Sequence, residues 1–257
     1  MKILVTTSDN YVHLIEPHHL LLNKYWPGNE IVYLGFSSEN VPKLPDNCSF
    51  VSLGNQDDFG REWTTPLIPY IESIEDEYFV VTVEDMMLTG EVDLDKMKLL
   101  EDEIKSGNAS KAILDSHLRD KCEPYKPGLI KMKQRAQWRT TLHPSIWRKD
   151  YFQKYLKPHW SAWQFEEDNF FESYHDGANV ILLEGPDNIF KAMNVYRKGE
   201  AIPRWKLPRP YGCDTPVSDE DVNLVLKYIE EKDKPKRKKL HIRPLIEGMD
   251  YEEQNPN

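Results

Sequence analysis

The sequence predicts an α/β protein built on a single Rossmann-type mixed sheet flanked by helices. Three observations predict it. Residues 1–35 read as strand, helix, strand, the unit that makes two parallel neighbours. The run Tyr78, Phe79, Val80, Val81, Thr82, Val83 is apolar and β-branched, as a strand buried on both faces would be, and it ends abruptly in Glu84 and Asp85. Further apolar runs then alternate with helical periods as far as about residue 185.

The first strand is Lys2 to Thr6, followed by turn and cap residues Thr7, Ser8, Asp9 and Asn10. Leu14, Leu20, Leu21, Leu22 and Tyr25 mark a helix reaching Trp26, with Pro17 suited to its first turn and Pro27-Gly28 ending it. Strands follow at 30–35 and 49–54. Residues 55–65 form a polar loop holding Arg61 and Trp63, and 66–74 a helix leading back to the strand at Tyr78. Asp93 caps a helix carried by Leu94, Met97, Leu100 and Ile104 and stopped at Gly107. Residues 111–115 form another strand. Alternation around Trp138 predicts a strand over 138–142, and Ser145 to Leu156 reads as a helix. Trp160, Trp163 and Phe165 stand beside Glu166, Glu167 and Asp168. This segment reads either as an amphipathic helix with solvated acids or as a place where aromatic faces stack on a ligand and a carboxylate takes its proton. Residues 178–183 form a last clear strand, with a short one possible at 194–196. Residues 199–216 form a loop rich in Pro, Arg and aromatics, and Ser218 to Asp221 cap a final helix. Residues 1–231 are expected as one domain, and 232–257 as a charged, extended tail.

Composition narrows the function. No apolar run reaches the ~20 residues of a membrane span, and the N-terminal apolar stretch is too short for a secretory leader. Cys48, Cys122 and Cys213 are odd in number and widely spaced, which fits free thiols and a cytoplasmic location. The net charge of -10 repels nucleic acid on average. Yet residues 117–150 hold nine Lys and Arg against three acids, and 232–243 seven against one. These segments read either as solvated basic faces or as seats for an anionic substrate. No glycine-rich phosphate loop follows the first strand.

In an open α/β sheet, ligands bind beyond the carboxyl ends of the strands. The Thr6–Tyr11 loop and the Glu84-Asp85 pair both open there. Two acids at a strand end either bind a divalent cation or begin a solvated turn.

Three pieces in this order resemble GT-A-type glycosyltransferases, a group that includes uncharacterised nucleotide-sugar transferases of bacteria and their viruses. They are Thr6-Thr7-Ser8-Asp9-Asn10-Tyr11, the strand ending Glu84-Asp85-Met86, and Trp138-Arg139-Thr140-Thr141-Leu142 leading through Ile146-Trp147 to Trp163-Gln164-Phe165-Glu166. The resemblance covers roughly residues 1–185. It implies a GT-A-like sheet with a nucleotide-sugar half over 1–115 and an acceptor-side lobe over 116–231. Thr6, Thr7, Ser8, Asp9, Tyr11, Arg61, Glu84 and Asp85 would bind the donor, a UDP-sugar. Asp85 would hold Mn2+ or Mg2+, since Met86 and Met87 stand where a second metal carboxylate would be. Glu166 would be the general base of an inverting transfer, with Trp163 and Arg139 at the acceptor. The acceptor would be a glycan or a hydroxymethylated DNA base, and the location a cytoplasm, that of the host if the protein is viral. Two other readings stay open: a non-catalytic binding protein on the same fold, and a nucleotidyltransferase with acids on adjacent strands around two metals.

Overall fold

The computed structural model describes residues 1–36, 41–185, 188–197, 199–203, 207 and 217–233. Strand β1 (Lys2–Thr6) leads through a 3-10 turn to helix α1 (Ile15–Tyr25) and strands β2 (Glu30–Gly35) and β3 (Cys48–Ser52). Short α2 (Gln56–Phe59) and α3 (Thr64–Ser73) return the chain to β4 (Tyr78–Val83) and β5 (Met86–Leu88). Next come α4 (Leu94–Lys105), β6 (Lys111–Ile113), the hairpin β7 (Cys122–Lys126) and β8 (Leu129–Met132), and β9 (Ser145–Arg148). The chain continues through α5 (Lys149–Tyr155), α6 (Ala162–Glu167), α7 (Phe170–Ser173), β10 (Val180–Leu183), β11 (Ala192–Asn194), β12 (Tyr196–Arg197), β13 (Glu200–Ala201) and α8 (Asp219–Asp233).

Nine strands form one mixed sheet in the order β3-β2-β1-β4-β9-β6-β10-β8-β7. The first four pair in parallel: α1 makes the crossover from β1 to β2, and α2 and α3 carry the chain from β3 back to β4 beside β1. Strand β9 runs antiparallel between β4 and β6. Side chains alternate between two cores. Ile3, Val5, Ile31 and Tyr33 pack with Leu22 of α1 and Leu100 and Ile104 of α4. Leu4, Val32 and Phe79 pack on the other face with Leu67 and Ile71 of α3, Phe152 of α5 and Phe165 of α6. Helices on both faces explain why these strands read as continuous apolar runs. Caps fall where the residue types ask for them. Asp93 Oδ1 accepts from Lys96 N at 3.1 Å, and Ser161 and Gln164 close a reciprocal capping box on α6.

Two expectations are corrected. Residues 138–142 form a turn rather than a strand: Trp138 has φ +70°, which reverses the chain, and the Arg139 side chain is drawn wholly inside. The helix expected from Ser145 begins at Lys149, because Ser145–Arg148 is a central strand. Ile146 pairs with Val80 on one side and Ala112 on the other. Ile146 and Trp147 point to opposite cores, so the local period is two. The basic segment also contains the β7–β8 hairpin, for which no strand is expected from the sequence. Lys126 and Lys131 in it pair with Glu103 and Glu123. The Arg204–Arg209 stretch of the expected loop lies outside the described residues except Leu207, as do Cys213 and residues 234–257 of the expected tail.

Candidate active site

Because β1, β4 and β6 all point the same way, their carboxyl ends share one sheet edge, joined there by the amino end of the reversed β9. That edge carries Thr6 and Thr7, then Glu84 and Asp85, then Asp115, and His143 just before β9. The first loop is fixed by backbone bonds: Thr7 N donates to Leu34 O at 2.9 Å and Glu84 N to Thr6 O at 3.3 Å. Asp9 N donates to Gln56 Oε1 at 2.8 Å, which ties this loop to α2; Arg61, two residues past α2, is exposed.

Glu84 is buried, and burial together with the Asp85 charge pushes its carboxyl well above the usual range. Asp85 is half-buried and is pushed up to about 6, chiefly by burial. His143 and Glu166 both lie within electrostatic reach of it, the first favouring its charge and the second opposing it. Tyr11 is raised by burial and by both carboxylates, which puts its phenol on the same edge. Its ring meets Tyr196 edge-on at 5.0 Å, and Lys232 Nζ of α8 lies 5.1 Å from the ring while donating to Asn10 O. Met86 and Met87 begin β5, pair with Asn194 and Met193 of β11, and are buried. A metal carboxylate at either position would have to leave the core.

Asp115 sits between two imidazoles. His143 Nδ1 lies 2.7 Å from its Oδ2, and His117 Nδ1 makes a short contact with its Oδ1. The two rings stack at 3.6 Å with 20° between their planes. The hydrogen bonds from His117 and His143 overcome the burial of Asp115 and hold its carboxyl low.

Glu166 projects from α6 towards the 140–143 turn. Its Oε1 accepts from Thr141 Oγ1 at 3.0 Å and from Leu142 N at 2.6 Å. His143 N donates to Thr141 Oγ1 at 3.3 Å, so the glutamate also steadies the turn that presents His143. Beneath the turn, Lys111 is fully buried and donates to Thr141 O at 2.6 Å and Arg139 O at 3.2 Å. Its Nζ lies 3.9 Å from the Trp147 ring centroid, and burial lowers its pKa well below the usual lysine range. Beside Glu166 is a cavity of about 240 Å³, lined by Gln137, Trp138, Glu166, Glu167 and Phe170. Trp138 holds a left-handed backbone that a bulky residue rarely adopts, and such strain collects at ligand sites.

The structure brings together Thr6, Thr7, Tyr11, Glu84, Asp85 and Glu166 along or beside this edge. Ser8 and Asp9 lie in the same loop. Trp163 is 64% exposed and does not line the cavity; Trp138 and Phe170 supply its aromatic walls. Arg139 is not offered to a ligand. It is fully buried, 2.8 Å from Asp176 Oδ1, and bonded to the carbonyls of Met132 and Ala178. Sequence reasoning missed Asp115, His117 and His143. The available signal was an acid closing the strand at 111–115 with a histidine two residues on.

No protein-family model matches the chain, and no curated protein matches it by sequence. Among solved structures, it is similar to the galactosyltransferase LgtC in complex with donor and acceptor sugar analogues, at 14% identity and TM-score 0.40, over 68% of this chain and 66% of that one. The bifunctional IspDF from Campylobacter jejuni gives 14% identity and TM-score 0.43 over 84% and 55%. S. aureus TarS gives 14% and 0.45 over 71% and 35%. The chain thus spans less than two thirds of the length of each of these structures.

Proposed function

We propose that the protein is an inverting glycosyltransferase that moves a sugar from a nucleotide sugar to a hydroxyl acceptor. The observation that carries the reading is the meeting of two acidic positions at one sheet edge: Asp85, next to the first loop, and Glu166, at the aromatic cavity, within electrostatic reach of each other. The donor, a UDP-sugar, lies along Thr6, Thr7, Ser8, Asp9 and Tyr11, with Glu84 and Asp85 beneath it and Arg61 near its diphosphate. The acceptor hydroxyl enters the cavity against Trp138 and Phe170. Its oxygen attacks the anomeric carbon as the bond to the diphosphate breaks, and its proton passes to Glu166. Both hydrogen bonds to the Glu166 carboxylate fall on Oε1, so Oε2 is the proton acceptor.

A glycan is favoured over DNA as acceptor. The cavity is lined by Glu166 and Glu167, which repel a polyanion, and by aromatic faces that suit sugar rings. The basic segment is in part neutralised: Lys126, Lys131 and Arg148 are each paired with an acid and Arg139 is buried against Asp176, which lowers its pull on phosphate. The chemistry calls for a divalent cation at the leaving diphosphate, to offset the charge developing there. Asp85 is one carboxylate, and a hard ion held by protein usually takes more than one oxygen ligand.

The test is Glu166→Gln. Glutamine keeps an oxygen for Thr141 Oγ1 and Leu142 N but takes no proton. Transfer from a nucleotide-sugar panel should fall by about 10²–10⁴-fold, while nucleotide-sugar binding, read as a rise in thermal midpoint, stays near that of the unaltered protein. Unchanged turnover would remove Glu166 as base. Donor binding with no turnover by either form would favour the non-catalytic reading, to which the burial of Met86 and Met87 lends support.

A further inference from the structure

We infer that Asp115, His117 and His143 form a binding site for one divalent transition-metal ion, with Zn2+ and Co2+ preferred over Mg2+. The nearest donor atoms of the three side chains all lie within 4.8 Å of one another, close enough for one ion to contact all of them. They come from different parts of the chain. Asp115 and His117 follow β6, and His143 precedes β9, the neighbouring strand in the sheet. Both segments adjoin neighbouring strands and are tied just beyond them, where Leu114 N donates to Pro144 O at 2.8 Å, so the adjacent strand ends hold the three side chains near one another.

The donor chemistry chooses the ion. Two imidazole nitrogens and one carboxylate oxygen suit Zn2+, Co2+ and Fe2+, whereas Mg2+ and Ca2+ take oxygen ligands in octahedral or larger shells. Each imidazole now turns its Nδ1 to one carboxylate oxygen. An ion entering between them takes the place of these two contacts and spreads them to the ~3 Å ligand separations that bonds of 2.0–2.2 Å require. Three protein ligands leave a position open, as at sites where metal meets substrate. Access is present: the side chains of His143, His117 and Asp115 are 30%, 17% and 9% exposed. The 140–143 turn is braced by Glu166 and Lys111, which hold His143 in register. Asp85 lies within electrostatic reach of His143, so an ion here stands next to the donor edge, where the acidic pair alone offers one half-exposed carboxylate.

The site is tested without donor or acceptor, so its failure is separable from failure of the transferase reading. Tag-free protein stripped with a chelator is titrated with Co2+ and followed by visible absorption, then competed with Zn2+. One equivalent should bind, Zn2+ should displace it, and millimolar Mg2+ should not. His117→Gln and His143→Gln should each weaken Co2+ binding by roughly 100-fold or more, with unchanged far-UV circular dichroism, and Asp85→Asn should keep the absorption band. A variant-free check uses the proton NMR spectrum of the Co2+ form, where ligated imidazoles give strongly shifted ring protons from two histidines. No cobalt band, or binding lost in Asp85→Asn and kept in both histidine variants, overturns the site. So does a cobalt form lacking shifted imidazole signals.

Discussion

Arg139 shows how a residue type can mislead about its use. From sequence, an arginine between Trp138 and two threonines invites a ligand role. In the fold its guanidinium and the Asp176 carboxylate are both wholly buried, and Asp176 also accepts from Tyr151 Oη at 2.7 Å and Tyr155 Oη at 2.6 Å. Removing one member of such a network leaves a buried charge unpaired. Arg139→Ala should therefore lower stability by about 3–5 kcal/mol in urea unfolding, whereas Trp163→Ala, on an exposed side chain, should change it by no more than about 0.5 kcal/mol. Asp85 gives the opposite sign. Its folded pKa is raised to about 6, so the folded state holds a proton that the unfolded chain releases near ~4. Stability then falls as pH rises through that window. Asp85→Asn should raise the thermal midpoint by a few degrees at pH 7–8, equivalent to about 1–3 kcal/mol, and should lose that advantage below about pH 4. A carboxylate kept where its charge is disfavoured is expected of a ligand-binding position.

At the scale of elements, strands with β-branched runs and helices with caps were legible. Strands β1, β2 and β4 and helices α1, α4 and α8 fall within a few residues of where patterning puts them. The errors lie where tertiary pairing overrides local period. Strand β9 is short, and its identity comes from two neighbours that local pattern cannot reveal. Helix α8 matches its amphipathic pattern, and the structure adds what it docks on. Asp221, nearly fully buried, accepts from Tyr25 Oη at 2.5 Å and Lys24 Nζ at 2.8 Å, joining α8 to α1. Asp221→Ala should loosen α8 before the sheet. Amide exchange should speed up across 219–233 with little change in β1 or β4, and global stability should fall by about 1–3 kcal/mol.

For the whole molecule, the sheet order decides what meets what. Residue types along the chain indicated Glu84, Asp85 and Glu166 as chemically interesting. They gave no reason to set Asp115, His117 and His143 together, because that grouping depends on β9 entering the sheet backwards between β4 and β6. A fold class can be read from periodicity, whereas a site built from the ends of two strands far apart in sequence depends on strand order, and strand order is long-range information.

The short β5–β11 ladder has a consequence for the order in which the molecule assembles. Val195 N donates to Asp85 O at 2.9 Å, and Met86 and Met87 lie against residues more than a hundred positions later in the chain. The large sheet is complete once β10 is in place, and the segment that follows adds no strand to it. During synthesis, then, a nascent chain can form its entire central sheet while the backbone beneath Asp85 is still unbraced. Contacts of such long sequence separation form late. The acidic edge is thus among the last parts to become rigid, and a released chain truncated near residue 185 should show native-like sheet protection while Asp85 lacks its raised pKa.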